Sequence, residues 1–249
     1  VNALDIPLPT ALAGGVTVDV DFLGSAADAR EHHAFLEIAT AENHAFLEIA
    51  TAEKRMRTEI HFPQPFENTP NSAKITIFRA SGIAAEIDYL SHLIGYAGKD
   101  EDRLKDRAIE VTDLYFAGSS LRVMHPFDCL RSRLCNIYSL PNKRNTIHVA
   151  QARLALEVMR AFILKLTEEE TEARAQLYPL LEEIISLTAS RVGTDTFHNF
   201  GIDVLSCLPV DQLPAPFIAR RLPIAQAYIE RRRFGKKGGR RPPDGRPGT

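Results

Sequence analysis

The stretch Val16-Thr17-Val18-Asp19-Val20-Asp21-Phe22-Leu23 is an apolar, β-branched run interrupted by two aspartates one residue apart. Strands disfavour Asp, so two of them in such a run call for a physical reason. In an extended chain the side chains of residues i and i+2 point the same way. That puts Asp19 and Asp21 on one face and leaves Val18, Val20 and Phe22 to bury the other. Two carboxylates roughly 7 Å apart repel each other, and a cation held between them removes that penalty. Oxygen-only sites built from a few carboxylates and completed by water and substrate phosphates are how proteins usually hold magnesium. The stretch therefore predicts a half-buried strand that carries a Mg2+ site.

A second run, Ala85-Glu86-Ile87-Asp88-Tyr89-Leu90, has the same character, with acids at alternate positions and Ile87 and Tyr89 on the opposite face. If it lies beside the first strand, Asp88 converges on Asp19 and Asp21. Three carboxylates on neighbouring strands suit a two-metal phosphoryl-transfer site, in which one ion activates an attacking hydroxyl and the other steadies a triphosphate. Asp88 would contact the activating ion and help take the proton.

Outward from these two runs, β-branched or alternating segments fill the first half of the chain. Strands are expected at Val16 to Leu23, Arg57 to Phe62, Lys74 to Arg79, Ala85 to Leu90, Ala108 to Tyr115 and Leu121 to Met124. One long helix, from about Ala26 to Lys54, separates the first two. From Pro126 onward the apolar spacing becomes helical, over Phe127 to Ser139, Ile147 to Leu166, Glu168 to Leu187 and Pro216 to Arg232, with Pro and Gly breaks between. The expected class is α+β. Residues 1–125 form a mixed-sheet domain, 126–230 a helical domain and 231–249 a disordered basic tail, too rich in Gly, Pro and Arg to bury a core.

Charge is distributed unevenly. The whole chain of 249 residues is only at −2, but residues 231–249 hold eight Arg or Lys and one Asp, a net +7. The remainder carries 22 basic against 31 acidic residues, or −9, which leaves no broad basic surface for a nucleic-acid duplex. The tail itself is read as a solubilising extension, with electrostatic capture of RNA as its functional alternative. Three cysteines, Cys129, Cys135 and Cys207, are odd in number and form no CxxC pair, which fits a reducing compartment and small core residues better than a disulfide frame or a zinc site. No run reaches the roughly 18 apolar residues of a membrane span, and the start lacks the layout of a signal peptide. A cytoplasmic protein without membrane association is expected. The first residue is Val, and native residues upstream of it are expected to be missing.

Within the expected long helix, His33-Ala34-Phe35-Leu36-Glu37-Ile38-Ala39-Thr40-Ala41-Glu42 recurs unchanged as His44 to Glu53, with Asn43 between the copies. Eleven residues make about three helical turns, so such a duplication lengthens a helix without rotating the residues beyond it. The His-to-Glu spacing within each copy places both on one helix face, but no third ligand accompanies them, and solvated residues are the plainer reading. His125, His148 and His198 receive no chemical role.

With the carboxylates assembled, the chain resembles the nucleotidyltransferase superfamily that includes DNA polymerase β, and more closely its minimal bacterial members such as the abortive-infection type toxin nucleotidyltransferases. Asp19-Val20-Asp21 matches the acid-x-acid pair of that family, and Asp88 in Glu-Ile-Asp-Tyr-Leu matches its third Asp on a later strand. Leu121-Arg122-Val123-Met124-His125-Pro126-Phe127-Asp128-Cys129-Leu130 is similar to the strand that ends in His-Pro and enters a helix. Leu140-Pro141-Asn142-Lys143-Arg144-Asn145 is similar to the Lys-containing loop that precedes a helical bundle. The resemblance covers about residues 16–165. It implies transfer of a nucleoside monophosphate from an NTP to an acceptor hydroxyl on RNA, tRNA or protein, with release of pyrophosphate. Asp19, Asp21 and Asp88 would hold one or two Mg2+ ions. Lys143 and Arg131, with Arg144 and Arg133 beside them, are the candidate phosphate-neutralising cations.

Two departures from the family pattern stand out. The phosphate-gripping Gly-Ser or Gly-Gly turn at a helix N-terminus belongs roughly ten residues before the first acid, and Gly14-Gly15 lies only four to five before Asp19. Lys143 is followed by Arg144, where many relatives carry Asp. A degenerate nucleotidyltransferase fold acting as a binding module, with an antitoxin-like partner on the helical half, is the non-enzymatic alternative. A haloacid-dehalogenase-type phosphatase also opens on Asp-x-Asp, but it wants Thr or Val where Leu23 stands, and Lys105-Asp106 makes no convincing partner constellation.

Overall fold

The computed structural model describes residues 19–23, 25–34, 57–67, 69–79, 82–97, 99–112, 120–168 and 172–235. Most of the duplicated segment, the Gly14-Gly15 pair and the last fourteen residues lie outside them. The described residues form an α+β protein. The chain divides into two compact units, Leu8–Asp128 and Cys129–Thr249 with Val1–Pro7.

The first unit is built on a four-stranded sheet of order β1-β4-β3-β2, comprising β1 (Asp19–Leu23), β2 (Arg57–His61), β3 (Asn71–Arg79) and β4 (Gly82–Leu90). β1 runs parallel to β4, whereas β3 is antiparallel to both β4 and β2. Alternation decides which side is core. Ala73, Ile75 and Tyr89 are fully buried and pack with Ala29 from α1 (26–34), and Ile60, Phe62 and Ile87 lean against them. Full burial of side chains the size of Ile75 contributes about 1.5–3 kcal/mol each. The Tyr89 hydroxyl lies 2.6 Å from His32 Nδ1, giving the one polar atom of this cluster a partner.

α1 starts on a capping box. The Ser25 backbone N–H donates to Asp28 Oδ2 at 2.6 Å and the Asp28 N–H donates back to Ser25 Oγ at 3.3 Å. The Ser25 hydroxyl also donates to Asp28 Oδ2, at 2.7 Å, and the backbone and hydroxyl donors of Ser25 together hold the Asp28 carboxyl below its ordinary pKa.

α2 (Lys99–Arg107) follows β4, with acids in its first turn and bases in its last, as the helix dipole favours. Its one buried apolar residue, Leu104, packs on Leu93 and Tyr96, against which Leu23 and Leu90 also lie. A separate antiparallel pair, β5 (Ile109–Thr112) and β6 (Ser120–Val123), leads to α3 (Pro126–Ser139). The boundary between the units falls inside α3.

The second unit is helical: α4 (Thr146–Glu168), α5 (Glu172–Ala189), α6 (Arg191–Phe200) and α7 (Leu222–Phe234). Its core includes Leu134, Ile137, Met159, Ile163, Leu181, Ile184, Phe217 and Ile229. Cys135 and Cys207 are buried in it as small apolar residues, and burial raises the Cys207 thiol to about 12. The sequence predicts one helix over Pro216 to Arg232, but the chain instead makes a π-helical turn at Phe217–Arg221 before α7. Pro223 has no N–H to continue an α-helical ladder, and the wider turn ahead of it takes up the mismatch. No helix among the described residues is long and apolar enough to cross a membrane.

Candidate functional site

The face of the sheet opposite the core is polar, and strand register orders it into rows. Asp21 pairs with Asp88, Asp88 with Lys74, and Lys74 with His61. The next row runs Asp19, Glu86, Thr76, Glu59. The parallel pairing of β1 with β4 thus brings the Asp19, Asp21 and Asp88 positions together and adds Glu86, an acid of the second run that the sequence reading left without a role. Lys143 and Arg131 belong to the helical unit.

Asp88 is the best defined of the acids. Only 9% of the residue is exposed, and Asn71 Nδ2 donates to its Oδ1 at 2.6 Å. Simple alternation would send Asn71 to the core side with Ala73 and Ile75. A break in register between Asn71 and Ala73 puts Ser72 out of step, so that Asn71 lies opposite Leu90 and reaches the acidic face. Re-aiming a side chain in this way is a common effect of a β-bulge. The Ser72 hydroxyl donates to the Tyr89 carbonyl at 3.1 Å.

Lys74 sits among the same acids, its Nζ 3.3 Å from Glu86 Oε1 and 3.6 Å from Asp88 Oδ1. Burial opposes its charged form, but the two carboxylates outweigh that effect and raise its pKa. For Glu86 and Asp88 the fold thus supplies a cation of its own. With so little of it exposed, Asp88 is not an acid turned to water at a strand end.

The donor set of this face is hard carboxylate oxygen, which suits Mg2+ rather than a softer ion. No group of three or more metal-ligating side chains occurs among the described residues, and the side chains of Asp19 and Asp21 lie outside them.

The His-Pro junction has a structural explanation. His125 Nδ1 accepts the Phe127 backbone N–H at 3.1 Å, so the imidazole caps α3 while Pro126 takes a first-turn position whose N–H is not needed. Burial, with the nearby Arg107 guanidinium, lowers the His125 pKa to about 4. Arg107 Nε lies 3.9 Å from Asp128 Oδ2, and the Tyr96 hydroxyl donates to the Asp128 carbonyl at 3.0 Å. Together these residues fix the start of α3.

In the helical unit, Lys143 ends a 3-10 turn, Pro141–Lys143, and Arg131 is half-buried on α3. Arg144, a further candidate cation, is committed elsewhere. Its Nε and one terminal nitrogen donate to the Ile137 and Tyr138 carbonyls at 3.1 and 2.6 Å, satisfying the C-terminal end of α3. Arg133 donates to Gln151 Oε1 at 3.4 Å. These bonds assign both side chains to holding helices together. Comparison of the chain with protein-family models, curated proteins and solved structures finds no match.

Proposed function

We propose that this chain is a metal-dependent nucleotidyltransferase that moves a nucleoside monophosphate from an NTP to an acceptor hydroxyl and releases pyrophosphate. The observation that carries the reading is the parallel β1–β4 pairing, which sets Asp21 opposite Asp88 and Asp19 opposite Glu86. In this reading Asp19, Asp21 and Asp88 hold Mg2+, and Asp88 also accepts the proton of the attacking hydroxyl. A bound divalent ion would supply the charge that neutralises the triphosphate and activates the acceptor. Asn71 orients the Asp88 carboxylate through its 2.6 Å hydrogen bond, a support of the kind that keeps metal ligands in place. Lys143 and Arg131, carried by the helical unit, enter the reading only through the resemblance, as does an RNA, tRNA or protein acceptor.

One observation favours a second reading, a nucleotidyltransferase-like fold that binds a partner without catalysis. Lys74 already compensates Glu86 and Asp88, so these acids do not by themselves require a metal. Incubation of the protein with each labelled NTP, Mg2+ and either total tRNA or total protein separates the two. The enzyme reading expects label transfer that Asp21→Asn and Asp88→Asn each abolish. Equal labelling by parent and variants, or none by the parent with any NTP, rejects it.

A further inference from the structure

Lys74 is placed where a cation bound to these acids would be. It stands on β3 as the register partner of Asp88, and Asp88 is in turn the partner of Asp21. Its ammonium reaches both carboxylates of β4, and its side chain is two-thirds buried, at 32% exposure. A lysine on the rim of such a face would be hydrated and mobile. This one is held between two acids by burial and by charge, and an ammonium is a compact point charge on a flexible stem. Like a metal ion, it answers the repulsion between neighbouring carboxylates, and it can leave without breaking the strand.

We propose that Lys74 is a tethered competitor for the divalent cation: it neutralises Glu86 and Asp88 when no metal is bound, and a metal binds this face by displacing its ammonium. The inference rests on the reading of this face as a cation site. It goes further in assigning the lysine a role in setting metal affinity. A dication and an ammonium within about 4 Å repel each other strongly in a partly buried site, so both cannot occupy the same pair of carboxylates. The lysine therefore sets a threshold of metal concentration below which the site stays closed on itself.

Mn2+ binding, followed by the loss of its free-ion paramagnetic resonance signal at fixed pH and ionic strength, tests this without any turnover. Lys74→Met removes the charge and keeps much of the apolar stem. It is expected to bind Mn2+ about tenfold or more tightly than the parent. Lys74→Arg keeps the charge and is expected to stay within about threefold of the parent. Arg57→Met removes a cation from the same sheet face, one that pairs with Glu59 and stacks on Phe78. It reports the general field and is expected to change affinity by less than about threefold. Circular dichroism checks that each variant is folded, and Lys74→Gln replaces Lys74→Met should the latter fail.

If the parent and Lys74→Met both fail to bind Mn2+ at millimolar concentration, the cation site and the competitor role fall together. If the parent binds and Asp88→Asn does not, while Lys74→Met matches the parent, the site stands and the competitor role is overturned. Equal gains in Lys74→Met and Arg57→Met also overturn it, because they reduce the effect to overall charge.

Discussion

Asp21 and Asp88 are register partners on two parallel, hydrogen-bonded strands, β1 and β4. Asp88 is buried and receives the Asn71 amide and the Lys74 ammonium. Asp88→Ala leaves the Asn71 donor without this acceptor and weakens the hold on Lys74, at an expected cost of about 1–3 kcal/mol. Asp88→Asn keeps an acceptor and is expected to fall between Ala and parent. Asp21→Asn removes charge from an acidic face and is expected to leave the fold intact. Urea denaturation of the three variants measures this order, and parent-like stability of Asp88→Ala would show that its contacts contribute nothing.

His125 makes the sheet unit sensitive to mild acid. Its folded pKa of about 4 lies below the ordinary 6.5, so the unfolded chain binds a proton first as pH falls. Stability is therefore full above about pH 6.5, declines between 6.5 and 4, and has lost this contribution below 4. After allowance for solvent screening the loss is about 1–2 kcal/mol. His125→Asn keeps a side-chain acceptor for the Phe127 N–H without a titrating group. Denaturation midpoints at pH 7 and pH 4.5 are expected to differ less in this variant, and an unchanged difference would place the sensitivity elsewhere.

Gly193 is required by space rather than by backbone angle. It occupies the first turn of α6, where its N–H donates to the Ser190 cap, and a Cβ there would lie 2.3 Å from the Leu187 carbonyl oxygen and 2.7 Å from that of Thr188. Backbone atoms yield little, so Gly193→Ala is expected to lower stability by about 2–3 kcal/mol. Thermal unfolding checks it, and a gain in stability would mean that α5 and α6 can separate without loss.

How far the fold could be read from the sequence depended on where its signal lay. β1 and β4 were legible as apolar runs with acids at alternate positions, and the buried face of β4 from Ile87 and Tyr89. α2 was not, since Lys99–Arg107 is almost wholly charged and holds only Leu104 in a core. α6 was missed for a similar reason, its ten residues being short and largely polar. Its ends were nevertheless marked, by Ser190 as N-cap and by Gly201 in the left-handed conformation that ends the helix.

For the candidate site, the acids of both runs could be found by alternation, and their adjacency by supposing that the two strands pair. Lys74 stands at the expected start of a strand, where a lysine ordinarily faces water and carries no signal of a site. Nothing local connects it with Glu86 and Asp88, twelve and fourteen residues away, until β3 and β4 are paired. Asn71 lay outside the expected strand altogether. The place of His125 immediately before Pro126 is a usable sign of a helix cap, though a histidine alone carries no such signal.

The irregularity at Ser72 makes strand pairing in β3 as informative as residue type. Were Ser72 to pair regularly with β4, simple alternation would run on through Asn71 and turn its amide into the apolar layer, while every residue implicated in the acidic face stayed in the sequence. A relative or redesigned variant of this protein could thus keep all its acids, its lysine and its asparagine and still be miswired, so the bulge across positions 71–73 is a criterion for equivalence that identity alone does not meet.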